Sequence, residues 1–151
     1  MRKIETSKLQ EIIGDKIKIM DEPMTWEESI TNAGELLIKK GSVQPSYVEA
    51  MIKSVHTNGP YIVIAPNIAF AHARPEDGAN ETDIALLISK QAVAFSEAEH
   101  HQCKLIFAFA AKDNTGHLEV LTGLSEFLGD EEKVEGLINA DSIDQVKAIL
   151  G

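Results

Sequence analysis

The sequence predicts an α/β fold, one sheet with helices available for both of its faces, and three observations carry that prediction. Four short apolar runs gather between residues 61 and 109, segments of helical periodicity precede and follow them, and no repeat or linker divides the 151 residues. The chain is read as one domain spanning residues 1–151, with 44% hydrophobic and 25% charged residues, the balance of an ordinary globular chain.

A short helix is expected over residues 6–13, followed at 16–19 by a strand whose Ile17 and Ile19 alternate onto one buried face. Thr25 with Glu28 three residues on forms a capping box. Trp26, Ile30, Ala33, Leu36 and Leu37 then recur at helical spacing until Gly41 stops the helix. A second long helix is expected over 46–56, with Tyr47, Ala50, Met51 and Val55 on one stripe and Asn58-Gly59-Pro60 ending it. Residues 61–64, 68–72, 84–88 and 105–109 are bounded by Pro, Gly, Asn or charged residues and read as strands of a buried sheet. The chain returns to helix at 116–128, 131–138 and 142–150; Leu118, Leu121, Leu124, Phe127 and Leu128 mark the first of these.

Charge and cysteine content exclude several classes. The net charge of −10 repels phosphate backbones and anionic lipid heads, so neither nucleic acid nor a membrane surface is an expected partner. Cys103 is the only cysteine, which rules out an intramolecular disulfide and a thiolate zinc cage and favours the cytoplasm. The amino terminus has no apolar signal region, and the longest apolar run, Leu105 to Ala111, is too short to span a bilayer.

Candidate chemistry falls on the five histidines at 56, 72, 100, 101 and 117. His72 closes an apolar strand just before Pro75. In an extended chain His72 and Arg74 point the same way, placing an imidazole and a planar guanidinium in one pocket suited to phosphate chemistry. The alternative is a half-exposed His72 with Arg74 paired to Glu76 or Asp77. His117 follows the capping cluster Asp113, Asn114 and Thr115. It is therefore expected in or just before the first turn of a helix, where free N–H groups and the dipole favour an anion and a neutral imidazole. His100 and His101 are expected to be solvent-exposed and to face different ways. A zinc site made from His72, His117 and one of that pair lacks the helical i, i+4 spacing, so no metal and no cofactor is expected. His56 reads as a helix-end residue and Cys103 as a small core residue.

Three blocks, SYVEAMI, APNIAFAHARPEDGA and LIFAFAAKDNTGHLEVLTGLSEFL, resemble in order and spacing the enzyme IIA components of the mannitol/fructose class of the phosphoenolpyruvate-dependent sugar phosphotransferase system. HARPEDGA is most similar to the ascorbate-type branch. The resemblance implies a single mixed sheet flanked by helices on both faces. It implies that His72 takes a phosphoryl group from the carrier HPr and passes it to a cysteine of an enzyme IIB, with His117 as the supporting imidazole. Two departures stand out. Ser54 and Val55 occupy the positions of an arginine and a glutamate in mannitol-type members, so Arg74 is the candidate replacement for phosphate binding, and Ala71 stands where many members have proline. No length remains for an enzyme IIB domain, which is therefore expected on a separate chain. The alternative within this resemblance is a regulatory module that receives phosphate as a signal without feeding sugar uptake.

Overall fold

The computed structural model describes the backbone of residues 4–151 and the side chains of residues 9–151 except 114–117 and 119. In chain order the elements are α1 (Ile4–Ile13), β1 (Ile17–Met20), α2 (Trp26–Lys39), α3 (Pro45–Asn58), β2 (Val63–Ala65), β3 (Asn67–His72), β4 (Asp83–Ala94), β5 (Gln102–Ala110), α4 (Asn114–Leu128), α5 (Glu131–Asn139) and α6 (Ile143–Leu150). Short 3₁₀ turns lie at Pro75–Asp77 and Glu99–His101. The strands form one mixed sheet in the order β1-β4-β5-β3-β2, with β1 parallel to β4, β3 parallel to β5, and the other two pairings antiparallel.

Alternation along the strands gives the two faces different characters. Ile68, Phe70, Ile84, Leu86, Leu105, Phe107 and Phe109 point to one side and meet α1, α4, α5 and α6. The other side is paved with small residues, Ala69, Ala71, Ala85, Ala108 and Ala110, and there α2 and α3 lie down. Those two helices also approach each other closely: a Cβ at Gly34 would stand 2.6 Å from Cγ2 of Val48. The capping box at Thr25 and Glu28 forms as the sequence requires, with bonds of 2.9 and 3.1 Å.

Four expectations need correction. The strand expected at 61–64 starts only at Val63, because Gly59, at φ +85°, ends α3 and throws Pro60 to Ile62 into a turn. Tyr61 is thereby an exposed turn residue. β4 runs on past Ile88 to Ala94; an irregularity between Ile88 and Val93 carries the polar Ser89 to Gln91 through the ladder, so their polarity did not end the strand. Leu118, expected on the buried stripe of α4, is 64% exposed. The buried stripe is Val120, Leu124 and Phe127, and Leu118 lies two residues, about 200°, round the helix from Val120. Finally, His100 and His101 are not turned apart: their rings lie 4.2 Å from each other, and His101 is half-buried with Nδ1 2.6 Å from Ser96 Oγ.

Candidate functional site

The ends of β3 and β5 and the start of β4 share one end of the sheet: His72 pairs with Phe109, and Phe109 with Ile84. α4 begins four residues after β5 ends, so the backbone of His117, fourth residue of that helix, belongs to the same end of the sheet. The His117 side chain lies outside the described residues, and the contact expected between it and His72 is not described.

His72 is the last residue of β3 and is half-buried. Its Nδ1 lies 2.9 Å from the Phe70 carbonyl oxygen. A carbonyl only accepts, so in the neutral ring Nδ1 carries the proton and Nε2 holds the lone pair. The ring rests against Phe70 at 5.6 Å between centroids and meets the edge of Tyr61 at 5.8 Å and 86°. Tyr61 is itself tied to α3 through its hydroxyl, 2.7 Å from Ser54 Oγ.

His72 and Arg74 line one open cleft of about 510 Å³, as their spacing predicted, together with Lys53, Ser54, Tyr61 and Asp77. The strand does not continue to Arg74. Arg74 is the extended residue that caps the Pro75–Asp77 turn, its N–H donating to Asp77 Oδ2 at 3.1 Å. Its side chain is 77% exposed, with Nε 3.7 Å from Asp77 and 3.9 Å from Glu76. Arg74 thus lines the cleft with His72 and is at the same time paired to the acidic turn. The turn is held by the start of α3. Ser46 Oγ donates to the Asp77 carbonyl at 3.0 Å and Gln44 N–H to the Gly78 carbonyl at 2.9 Å. Gly78 has φ +133°, and a Cβ there would stand 2.9 Å from Ser46 Oγ.

Two cleft residues escaped sequence reasoning. Lys53 lines the cleft and makes no ion pair among the described residues, one residue before the serine that replaces the expected arginine. The only signal was its position one helical turn after Glu49 and Ala50. Tyr61 was assigned to a strand, which hid that a turn would bring its ring against His72.

The other histidines are elsewhere. His100 and His101 precede β5, whose nine residues put them about 27 Å from the end where His72 lies, which separates the members of the conceivable zinc site. No metal-binding group of three or more residues exists among the described residues. His56, in the last turn of α3, packs on Trp26 at 4.8 Å and pairs with Glu27 at 3.5 Å. Cys103 is fully buried, and burial pushes its thiol up to about 12, so it is an inert core residue.

The chain matches the family "Phosphoenolpyruvate-dependent sugar phosphotransferase system, EIIA 2" over residues 12–151. It belongs to that family. As an EIIA protein it is a phosphotransferase, of the kind that carries phosphoryl groups between partners. It is 34% identical to the mannitol-specific cryptic phosphotransferase enzyme IIA component of Escherichia coli K12 over 89% of this chain and 90% of that one. The ascorbate-specific EIIA component of the same strain is 32% identical over 80% and 79%. In a solved complex of Escherichia coli mannitol enzyme IIA with phosphorylated enzyme IIB, one chain superposes with a TM-score of 0.79 and 32% identity, covering 91% of this chain and 94% of that one. The mixed sheet with helices on both faces is thus the family's architecture as well as this chain's. No helix among the described residues is long and apolar enough to cross a membrane.

Proposed function

We propose that this EIIA protein carries its phosphoryl group on Nε2 of His72, accepting it in the cytoplasm from phospho-HPr and delivering it to a cysteine of a separate enzyme IIB. The observation that carries the reading is the bond from Nδ1 to the Phe70 carbonyl, which leaves Nε2 as the only ring nitrogen with a free lone pair on a cleft lined by two cations. That lone pair attacks the phosphorus of the donor phosphohistidine in line, and the P–N bond to the donor breaks with its electron pair returning to the donor ring. The phosphorylated His72 ring then bears positive charge across both nitrogens. The Phe70 carbonyl facing Nδ1–H stabilises that charge and keeps the ring a good leaving group. When a cysteine thiolate of enzyme IIB attacks the phosphorus, the P–Nε2 bond breaks and the neutral ring is restored with its proton on Nδ1.

Lys53, Arg74 and His117 are assigned to the phosphoryl oxygens, where preorganised donors lower the barrier more than they would in water. The sugar is ascorbate or a related sugar or polyol, since relatives named for ascorbate and for mannitol match the chain to similar degrees. Incubation with phosphoenolpyruvate, enzyme I and HPr, followed by intact mass and ³¹P NMR, tests the assignment. One acid-labile phosphoryl group per chain, resonating as the Nε2 isomer, is expected. No phosphate, or the Nδ1 isomer, would overturn it.

A further inference from the structure

Tyr47 lies in the first turns of α3, 1% exposed, and its hydroxyl sits where the parallel ladder between β3 and β5 opens. The last register pair of that ladder is His72 with Phe109. One residue further on, the Ala73 N–H donates not to β5 but to Tyr47 Oη at 3.0 Å. The hydroxyl in turn lies 2.8 Å from the Phe109 carbonyl oxygen and 3.1 Å from that of Ala73. A hydroxyl has one proton, and the shorter contact to Phe109 completes a relay from Ala73 N–H through Oη–H to the Phe109 carbonyl. One oxygen atom is thereby inserted between the strand ends.

Ala73 is the residue between His72 and Arg74, and both of its backbone polar groups are within reach of this one buried atom. Burial holds the phenol proton up to about 12, so the hydroxyl keeps its donor throughout the neutral range. The start of that helix fixes the rest of the turn through its N-cap Gln44 and through Ser46, and Tyr47 hydrogen-bonds the peptide adjoining His72.

We infer that Tyr47 is a positioning residue for phosphoryl transfer, its hydroxyl setting the separation of the β3 and β5 ends and through Ala73 the placement of the His72 imidazole and Arg74. This role rests on His72 being the phosphoryl acceptor. Without the hydroxyl, Ala73 N–H and the Phe109 carbonyl either close directly on each other or admit water, and either change shifts the backbone next to the reacting ring. An ångström-scale shift of a reacting group costs about 10- to 100-fold in rate.

The test is Tyr47→Phe, which keeps the ring packing, compared with Cys103→Ala, a core variant at the far end of β5 whose loss of Tm serves as the stability control. Tyr47→Phe is expected to lower kcat for phosphorylation by phospho-HPr about 10- to 100-fold with KM for the donor unchanged, and to move the ¹⁵N shifts of the His72 ring. Cys103→Ala is expected to leave kcat and ring shifts at wild-type values. Wild-type kcat and wild-type ring shifts in Tyr47→Phe would overturn the inference. The ring shifts are read without any phosphoryl donor, so they test Tyr47 even if HPr proves not to phosphorylate the wild-type chain, a result that would instead overturn the proposed function. Should Tyr47→Phe fail to fold, amide exchange in the wild type decides. The Ala73 amide is expected to exchange at least about 100-fold more slowly than an unstructured one although it lies beyond the strand, and fast exchange there would overturn the inference.

Discussion

Two ionic clusters sit at the same end of the sheet and have opposite designs. Between β1 and β4, Lys16 and Asp83 pair at 3.0 Å with side chains only 9% and 11% exposed. Every ammonium donor there has an acceptor, and both carboxylate oxygens are bonded. The Asp83 carboxylate also accepts from Ser42 Oγ at 2.6 Å and from the Ile84 N–H at 2.9 Å, while the ammonium donates to the carbonyls of Ile12 and Ile13. Between β3 and α3 the His72 cleft is open, and among the described residues its histidine is hydrogen-bonded through Nδ1 alone and Lys53 is unpaired. A buried charge must be fully partnered to be tolerated, and such partnering leaves it nothing to offer a substrate. The difference between a structural cluster and a chemical one is here a difference in unused hydrogen-bonding capacity.

The contrast can be broken at either cluster. His72→Ala is expected to abolish phosphate uptake from HPr with the fold retained, measured by intact mass and circular dichroism; residual acid-labile phosphate would place the acceptor elsewhere. Asp83→Asn should leave the Lys16 ammonium buried without its counter-ion and cost about 3–5 kcal/mol in urea unfolding, with an unchanged phosphorylation rate per folded molecule. A slowed rate at full stability would erase the distinction between the clusters. His117→Ala should still be phosphorylated on His72 but pass the group to enzyme IIB about 10²–10³-fold more slowly; loss of uptake itself would exchange the roles of the two histidines.

Smaller effects sharpen the picture of the cleft and its buried frame. Lys53→Met should slow phosphorylation about tenfold, the loss of one charge-assisted bond. Arg74→Lys, braced as it is by Glu76 and Asp77, should slow it less, and a reversed order in stopped-flow rates would make the guanidinium the principal phosphate ligand. Tyr47 and Cys103 both have folded-state values raised to about 12, from 10.0 and 9.0. The folded chain therefore binds these protons more tightly than the unfolded one. Their contribution is fully present below pH 9 and is lost as pH rises toward 12, at up to about 1.4 kcal/mol per pH unit for each group. Cys103→Ala should delay the onset of that decline by about one pH unit in urea midpoints measured from pH 8 to 11, and an unchanged onset would refute it.

What the sequence determined by itself was whatever depends on neighbours along the chain. Capping at Thr25, the stop at Gly59, and the apolar periods of helices and strands follow from local sterics and hydrogen bonding, and they gave the α/β class and nearly every element. The pairing of His72 with Arg74 on one cleft was legible for the same reason, since two residues of extended chain return to one side. Only tertiary structure decided what lies across from them. Lys53 and Ser54 reach the cleft because α3 packs beside α2 in the cluster over that face of the sheet, and Tyr61 reaches His72 because a turn replaced the expected strand. The Tyr47 hydroxyl was hidden most completely: on the sequence it is one more apolar-stripe residue of α3, and its bonds to Ala73 and Phe109 span 26 and 62 positions. Sequence separations of that size carry no local signal, because the free energy that brings such groups together comes from burying both faces of the sheet and not from any preference of the residues themselves.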